Sequence, residues 1–424
     1  MSRTFLLLQG TCTPFFSALG KALRGAGVRV KKINYTGGDA LYWRAPGAIN
    51  YSGTVDEARE FHERIFDSEH VTDIVLFGDR RPLHVEAIDA AEASGITVHV
   101  FEEGYFRPYW ATLERGGVNA RSTLPRDPDW YRKVAQWVPR FDNGEPFRSS
   151  FWPRAYHDVI YHLGNLQNPI RFPRYRSHAP VNAPTEYLAY LRRALLLPTH
   201  AKLDAQKISK LIYHHRRFWL LPLQLNSDSQ IRNHSPFSDM SEVISRTIES
   251  FARFAQSSDM LIIKNHPLDA GLSDHDACIK RLAKLYEVEH RVLYIETGHL
   301  PTLLSHAQGV ITVNSTVGGS ALVHSRPTIA LGKAIYDMPG LTFQGHLDDF
   351  WNNAEAPDAE LFQGFRNVVI YGTQINGGFY SKAGIKMAVP YAVERLLARQ
   401  SKLAALLDEG YVQHFARHNR SRLA

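Results

Sequence analysis

Apolar residues along the chain come in short runs separated by stretches of helical spacing. TFLLL (4–8) is a run of strand length, and after QGTCTPFF the spacing turns helical to about Leu23. GAG then leads into VRVKKI, a second strand. Helical spacing returns at 55–68. DIVLFGD (73–79) reads as a third strand, 83–94 as a helix and ITVHVF (96–101) as a fourth strand. Strands alternating with helices at this interval predict βαβ units around a parallel sheet. The alternation stops near Arg121. It resumes with a strand inside YHHRRFWLLPLQL (213–225) and a helix over 240–256. Then come MLIIKNHP (260–267), a helix over 277–288, and the strands RVLYIE, GVITVN and PTIALG. Residues 384–407 have helical periodicity, and no internal repeat or low-complexity tract interrupts the pattern.

The pattern divides the chain into a Rossmann-like domain over 1–125, a helical insertion or linker over 126–210, a second Rossmann-like domain over 211–383 and a C-terminal helix over 384–424. Two such domains facing a cleft, joined by a linker and closed by a terminal helix, outline a two-domain nucleotide-sugar enzyme. The length of 424 residues and a hydrophobic content of 44% suit a globular protein of this size. The N-terminal apolar run is too short for a signal peptide, and no stretch approaches the ~20 apolar residues that span a bilayer. Cys12 and Cys278 lack metal-ligand spacing, no metal is assigned, and so few cysteines suit a reducing, cytoplasmic compartment.

Charge changes the picture of the linker. The whole chain carries +7, and Arg126 to Lys210 holds 14 Lys or Arg against 7 Asp or Glu, so the excess resides there. With its interleaved aromatics the segment reads either as a patch for anionic lipid or nucleic acid or as a solvated helical face.

In open α/β sheets ligands bind beyond the carboxyl ends of the strands. The first strand is followed by Gln9 and Gly10. The second leads to Asn34, Gly37, Gly38 and Asp39, and the third to Gly78, Asp79, Arg80 and Arg81. Each set alone is also an ordinary turn composition. The fourth exit, FEEGYFRP (101–108), places Glu102 and Glu103 after an apolar strand. Gly104 there would admit close backbone approach, and Arg107 can neutralise an anion. Substitution at an anomeric carbon needs a carboxylate nucleophile or base. In the second half, Lys264, Asn265, His266 and Pro267 end a strand. GVITVN runs through Asn314, Ser315, Thr316 and Gly318 into a helical pattern, which is either a phosphate turn or a plain Ser/Thr cap. LQLNSDSQIRNHSPF (223–237) offers Gln224, Asn226, Asp228, Gln230, Arg232 and His234 to sugar hydroxyls, and a solvated loop explains them as well. No GxxxxGK[ST] is present and no GxGxxG follows the first strand, which weighs against P-loop and dehydrogenase chemistry.

LLLQG…PFF, INYTGGD, LFGDRRPLH, HVFEEGYFRPYWATLERGGVN, PLQLNSDSQIRNHSPF, IKNHPLD, VNSTVGGSAL, YDMPGLTFQG and TQINGGFY occur in this order from about residue 5 to 380. Together they resemble the capsular polysaccharide synthesis proteins of the KpsS (LipB) type. The resemblance implies a retaining β-Kdo transferase of GT-B architecture that takes Kdo from CMP-Kdo and needs no further cofactor. It implies a phosphatidylglycerol-type lipid acceptor and an oligo-Kdo linker made at the cytoplasmic face of the inner membrane of a Gram-negative bacterium. A companion Kdo transferase and the capsule export machinery would be partners, with no nucleic acid. The family's Glu-Asp-Gly triplet matches Glu102-Glu103-Gly104, which makes Glu103 the implied nucleophile, with Glu102 or Asp79 as base or orienting group. Its His-Pro contact to the CMP phosphate matches His266-Pro267, and its Ser-Thr turn matches Ser315-Thr316. The chain departs from the family at Glu103, where Asp is usual, and at Thr11 and Thr13, where Pro and Gly are more common. Two other readings fit the same residues: a sugar-nucleotide epimerase or hydrolase, and a non-catalytic lipid- or glycan-binding adaptor in capsule assembly.

Overall fold

The computed structural model describes residues 3–148, 151–176, 183–225 and 236–408. Strands β1 (Thr4–Leu7), β2 (Arg29–Asn34), β3 (Ala48–Asn50), β4 (Asp73–Phe77), β5 (Thr97–Glu103) and β6 (Trp110–Arg115) precede the basic segment. Strands β7 (Phe218–Pro222), β8 (Met260–Lys264), β9 (Val292–Ile295), β10 (Gly309–Thr312) and β11 (Thr328–Ala330) follow it, and β12 (Gln374–Asn376) closes the series. The chain forms two compact units. The first takes residues 1–124, 134–178 and 366–424, and the second 125–133 and 179–365.

The first unit holds a seven-stranded sheet in the order β12-β6-β5-β4-β1-β2-β3. β1 to β5 are mutually parallel, as their alternation with helices predicts, and the order reverses between β1 and β4. Alternate residues serve opposite faces. Phe5 and Leu7 pack with Phe15, Leu19 and Phe101, whereas Leu6 and Leu8 pack with Ile74, Leu76 and Val100. The second unit repeats the plan with a parallel sheet in the order β11-β10-β7-β8-β9. Trp219 and Leu221 serve one core and Phe218 and Leu220 the other.

Four expectations change. β5 does not stop at Phe101 but continues through both acids, because β6 pairs antiparallel with it, Glu102 opposite Thr112 and Glu103 opposite Ala111. The pattern concealed β6 because WATLER places the polar Thr112 and Glu114 at buried positions between β12 and β5, where a strand reads from sequence as apolar. β12, from TQINGGFY, pairs antiparallel with β6, so residues 366–408 return to the first sheet and the division at 383 moves to about 366. Helix Lys382–Leu397 buries Ala388, Ala392 and Leu396 in the core around Phe5 and Phe15, which gives that return an apolar anchor. A second helix, Lys402–Leu407, follows it, so the expected single terminal helix is broken. Finally, the 126–210 segment is not one linker: most of 134–178 joins the first unit, and helix Ala183–Tyr213 joins the second. Among the described residues no helix is long and apolar enough to cross a membrane.

Candidate functional site

At the carboxyl rim of the first sheet, Glu102 and Glu103 project from the last two residues of β5, both only partly exposed. Glu102 Oε1 accepts from the Glu103 backbone N–H at 2.9 Å. Burial pushes the Glu102 carboxyl up to about 7, and the Glu103 charge acts the same way. The backbone N–H, Arg107 and Arg81 oppose the shift. Glu103 faces Arg154, whose Nη1 lies 3.7 Å from Oε1. That oxygen is covered and accepts no hydrogen bond among the described residues. Arg154 stacks 4.3 Å from the Tyr380 ring centroid. Burial of Arg154 works against its charge, but Tyr380, Glu103, Cys12 and Asp158 outweigh it and raise its pKa. Burial and then the Glu103 charge lift the Tyr380 phenol well above its ordinary value. An acid, a guanidinium and a phenol thus converge at the end of β5.

Gly104 is required here for a reason internal to the sheet. A Cβ at that position would lie 2.0 Å from the Trp110 carbonyl, so the glycine admits β6 rather than a ligand. Asp79 is buried, which raises its pKa, and it accepts the Val118 backbone N–H at 3.2 Å. It holds the 116–118 turn and is not aimed into the site. Arg81 donates to the Gly10 carbonyl at 3.1 Å, and Arg80 lies partly exposed beside Asp79. Arg107 is exposed, within the field of Glu102.

The expected sugar ligands of the second exit face inward. Gly37, Gly38 and Asp39 begin helix Gly37–Tyr42, capped by Thr36, whose side chain accepts the Asp39 N–H. Asp39 takes hydrogen bonds from the Tyr35 N–H at 3.0 Å, from Gln9 at 3.3 Å and from the Tyr161 hydroxyl at 3.0 Å. Gln9 also meets Tyr161 at 2.9 Å, and Asn34 binds Asn50 at 3.1 Å. Gln9, Asn34 and Asp39 are therefore committed to the fold. The buried Lys32 amine, lowered to about 8 by burial, donates to the Ile33 carbonyl beside the small cavity that Asp39, Thr11 and Tyr161 line.

Tyr161 and Arg154 come from helix Phe151–Gly164 of the basic segment. The two glycines of YTGGD explain how it sits so close: a Cβ at Gly37 would lie 2.1 Å from the Gly164 carbonyl, and one at Gly38 2.7 Å from the Tyr161 ring. The first amides of helix Gly37–Tyr42 then bind side chains, Gly37 to Asn168 and Gly38 to Asn165, each at 2.8 Å. Strand-exit position does not single out Arg154, Tyr161 or Tyr380. The polar positions 154, 157, 158, 161, 165 and 168 recur at helical spacing and were the available signal.

In the second unit the strand order reverses between β7 and β10, and the residues after those strands bind each other. Gln224 donates to Asn314 Oδ1 at 3.0 Å and accepts the Asn314 N–H at 3.3 Å. Ser315 caps helix Thr316–Val323 through the Val317 N–H. Thr316 is partly exposed at its first turn. Gly318 is fixed by packing, since a Cβ there would lie 2.1 Å from the Tyr336 hydroxyl, which donates to the Ser315 carbonyl at 2.6 Å. After β8, Lys264 is buried, which lowers its pKa, and donates to the Asn265 carbonyl at 3.0 Å. His266 Nδ1 accepts the Leu268 N–H at 3.1 Å, which assigns any ring proton to Nε2. Arg193, from helix Ala183–Tyr213, donates to the Pro267 carbonyl at 2.8 Å and to Glu296 at 3.3 Å. Asp204 of that helix accepts the Glu296 and Thr297 N–H groups at 2.9 and 3.0 Å. The His-Pro loop is thus clamped from a helix that the sequence offered as linker. Asn226, Asp228, Gln230, Arg232 and His234 lie outside the described residues, and no cluster of potential metal ligands occurs among the described ones.

Residues 72–380, well over half of the chain, match the family model described as capsule polysaccharide biosynthesis protein. A curated relative, the capsule polysaccharide export protein KpsS of Escherichia coli, is 40% identical over 388 residues, covering 89% of this chain and 97% of that protein. The capsule polysaccharide modification protein LipB of Neisseria meningitidis serogroup B is 36% identical over 390 residues, covering 90% and 92%. Among solved structures, the β-Kdo 2,7 transferase of Thermosulfurimonas dismutans KpsC aligns with 93% of this chain and 99% of its own, at 12% identity and a TM-score of 0.43.

Proposed function

This chain belongs to the capsule polysaccharide biosynthesis protein family, and from that membership we propose that it is a retaining glycosyltransferase. The donor is CMP-Kdo, the acceptor is a phosphatidylglycerol-type lipid, and the product begins the oligo-Kdo linker of a capsular polysaccharide. The observation that carries the reading is the end of β5, where Glu103 turns a covered oxygen without a hydrogen bond toward a site walled by Arg154 and Tyr380. The carboxylate is held by the Arg154 charge and by a side-chain hydrogen bond with Tyr380, while Oε1 itself accepts no hydrogen bond among the described residues, and a nucleophile needs an oxygen left available in that way.

In the first step the Glu103 carboxylate bonds to the anomeric carbon, and the bond to the CMP phosphate oxygen breaks with its electron pair. CMP departs as the anion. In the second step the acceptor hydroxyl attacks from the face that CMP left and the Glu103 carboxylate is released, giving net retention. The hydroxyl proton passes to a base. Glu102, with a pKa of about 7 and partial exposure, suits that role better than the inward-turned Asp79. Arg154 offers charge to the Kdo carboxylate or to the displaced Glu103. In the second unit, the His266 Nε2 and the first turn of helix Thr316–Val323 suit the cytidine phosphate. Work on a membrane lipid would make the protein peripheral at the inner face of the inner membrane, alongside a companion Kdo transferase and the export machinery.

The test is mass spectrometry of phosphatidylglycerol incubated with CMP-Kdo and the protein. A mass increase of one or more Kdo residues is expected, and an unchanged lipid overturns the reading. The export name of the Escherichia coli relative favours a second reading, a non-catalytic binding protein of capsule assembly. That reading predicts no heat of CMP-sugar binding by calorimetry. Turnover of the donor without acceptor would instead favour an epimerase or hydrolase.

A further inference from the structure

Helix Phe151–Gly164 and the turns that follow it are amphipathic the wrong way round for a soluble domain. The face toward the first unit is polar. Arg154 meets Glu103, the His157 ring meets the Tyr42 hydroxyl at 2.7 Å, Tyr161 meets Asp39, and Asn165 and Asn168 meet the glycine amides. The face away from it is apolar. Trp152, Tyr156, Val159 and Leu163 recur at alternating intervals of four and three, which keeps them on one side of the helix, and Leu166 and Ile170 continue the spacing through the helical turns Asn165–Gln167 and Asn168–Arg171. All six are exposed, Trp152 at 78%, Leu166 at 74% and Ile170 at 87%. A continuous apolar stripe of this length is uncommon on a soluble surface that meets only water.

We infer that this stripe is a membrane-docking surface, seated in the headgroup region of a bilayer containing anionic lipid. Three features favour lipid over another occupant. The stripe begins with Trp and Tyr, the aromatic side chains that suit the boundary between headgroups and acyl chains. Arg171 and Arg176 are exposed next to the end of the stripe, with Arg174 beside them paired to Glu57 at 3.1 Å, and Asp158 is the single carboxylate between Phe151 and Arg176. The same helix, through Arg154 on its other face, forms a wall of the Glu103 site. Docking by the outer face would therefore hold the acid one helix thickness, about 10 Å, from the lipid surface. This deepens the lipid-acceptor reading by naming how the acceptor hydroxyl is presented, but the docking itself does not depend on turnover.

The experiment is flotation of the full chain with vesicles of phosphatidylcholine, with and without phosphatidylglycerol. Wild type should float with the mixed vesicles and float less as salt rises, because the arginine contribution is screened. The variant Trp152→Gln/Leu166→Gln/Ile170→Gln replaces exposed side chains only, so its unfolding temperature should match wild type while vesicle binding falls about tenfold or more. Equal binding by the triple variant overturns the inference. So does an unchanged vesicle affinity accompanied by a shift from dimer to monomer, which would make the stripe a contact between copies of the chain. Transfer to a short-chain, water-soluble glycerophosphate acceptor separates the two proposals. A docking-deficient variant should retain it, whereas absence of transfer by wild type to any acceptor counts against the enzymatic reading and leaves the flotation result standing.

Discussion

The two units share a strand order but treat the carboxyl ends of their strands differently. In the first, the ends of β4 and β5 carry Asp79, Glu102 and Glu103, and burial raises the carboxyls of Asp79 and Glu102. In the second, the ends of β7, β8 and β10 carry amides, a histidine and a helix turn. These are fixed by a Gln224–Asn314 pair and by the Arg193 clamp. A rim with strained charge suits bond making, and a rim of pre-set donors suits holding a phosphate. On the proposed reading, one architecture would serve two tasks by changing the residues after the strands.

The sharpest way to break this comparison is Glu103→Gln. It should lower transfer from CMP-Kdo on the order of a thousandfold or more while CMP affinity by calorimetry stays within about threefold of wild type, since the mutation touches only the first rim. Full turnover would remove Glu103 from the role. Next in size are the two packing glycines. Gly37→Ala drives a methyl into the Gly164 carbonyl, and Gly318→Ala drives one into the Tyr336 hydroxyl. Each should cost about 3 kcal/mol in denaturant unfolding. The first should also raise hydrogen exchange in 151–171, and the second should weaken CMP binding without that change. Matching exchange patterns in the two variants would erase the distinction between the rims.

Arg193→Ala should weaken CMP binding about tenfold through a loosened 265–268 loop, with turnover at saturating donor much less affected. An effect on turnover alone would count against a binding role. The smallest effect concerns pH. Burial raises the Glu102 pKa from 4.5 to about 7, so its protonated form favours the fold. That contribution is whole below 4.5 and is lost as pH rises through about 7. Glu102→Gln keeps the neutral form and should add about 1 kcal/mol of stability above the folded pKa and little below the unfolded one. Glu114, also raised to about 7 by burial, should leave the variant with residual dependence of the same sign. Equal gains at both ends of the pH range would show that Glu102 is not the titrating group.

The parallel cores were legible because runs such as TFLLL and MLIIK bury both faces and leave no other use for their pattern. β6 and β12 were not, because WATLER and QIN are short and partly polar and gain strand character only from a neighbour in register. Glu102, Glu103 and the 264–267 loop could be chosen from sequence because strand exits are fixed by local pattern. Gln9, Asn34 and Asp39 meet the same rule, but their side chains turn inward to partners as far as 152 residues away. The basic segment misled for a related reason: composition records its charge but not which arginines face a site.

The sequence by itself determined two Rossmann-like sheets, the acids at the end of β5 and the turn after β10, since each follows from local periodicity and the residue next to a strand. Tertiary structure alone decided that residues 366–408 belong to the first unit, that Gly37 and Gly104 serve backbone approach, and that Arg154 and Arg193 leave the supposed linker for separate rims. Those outcomes depend on contacts between residues far apart in the chain. A guanidinium is placed by the carboxylate or carbonyl oxygens that the fold brings to it, and neither its spacing nor its neighbours in sequence record that choice.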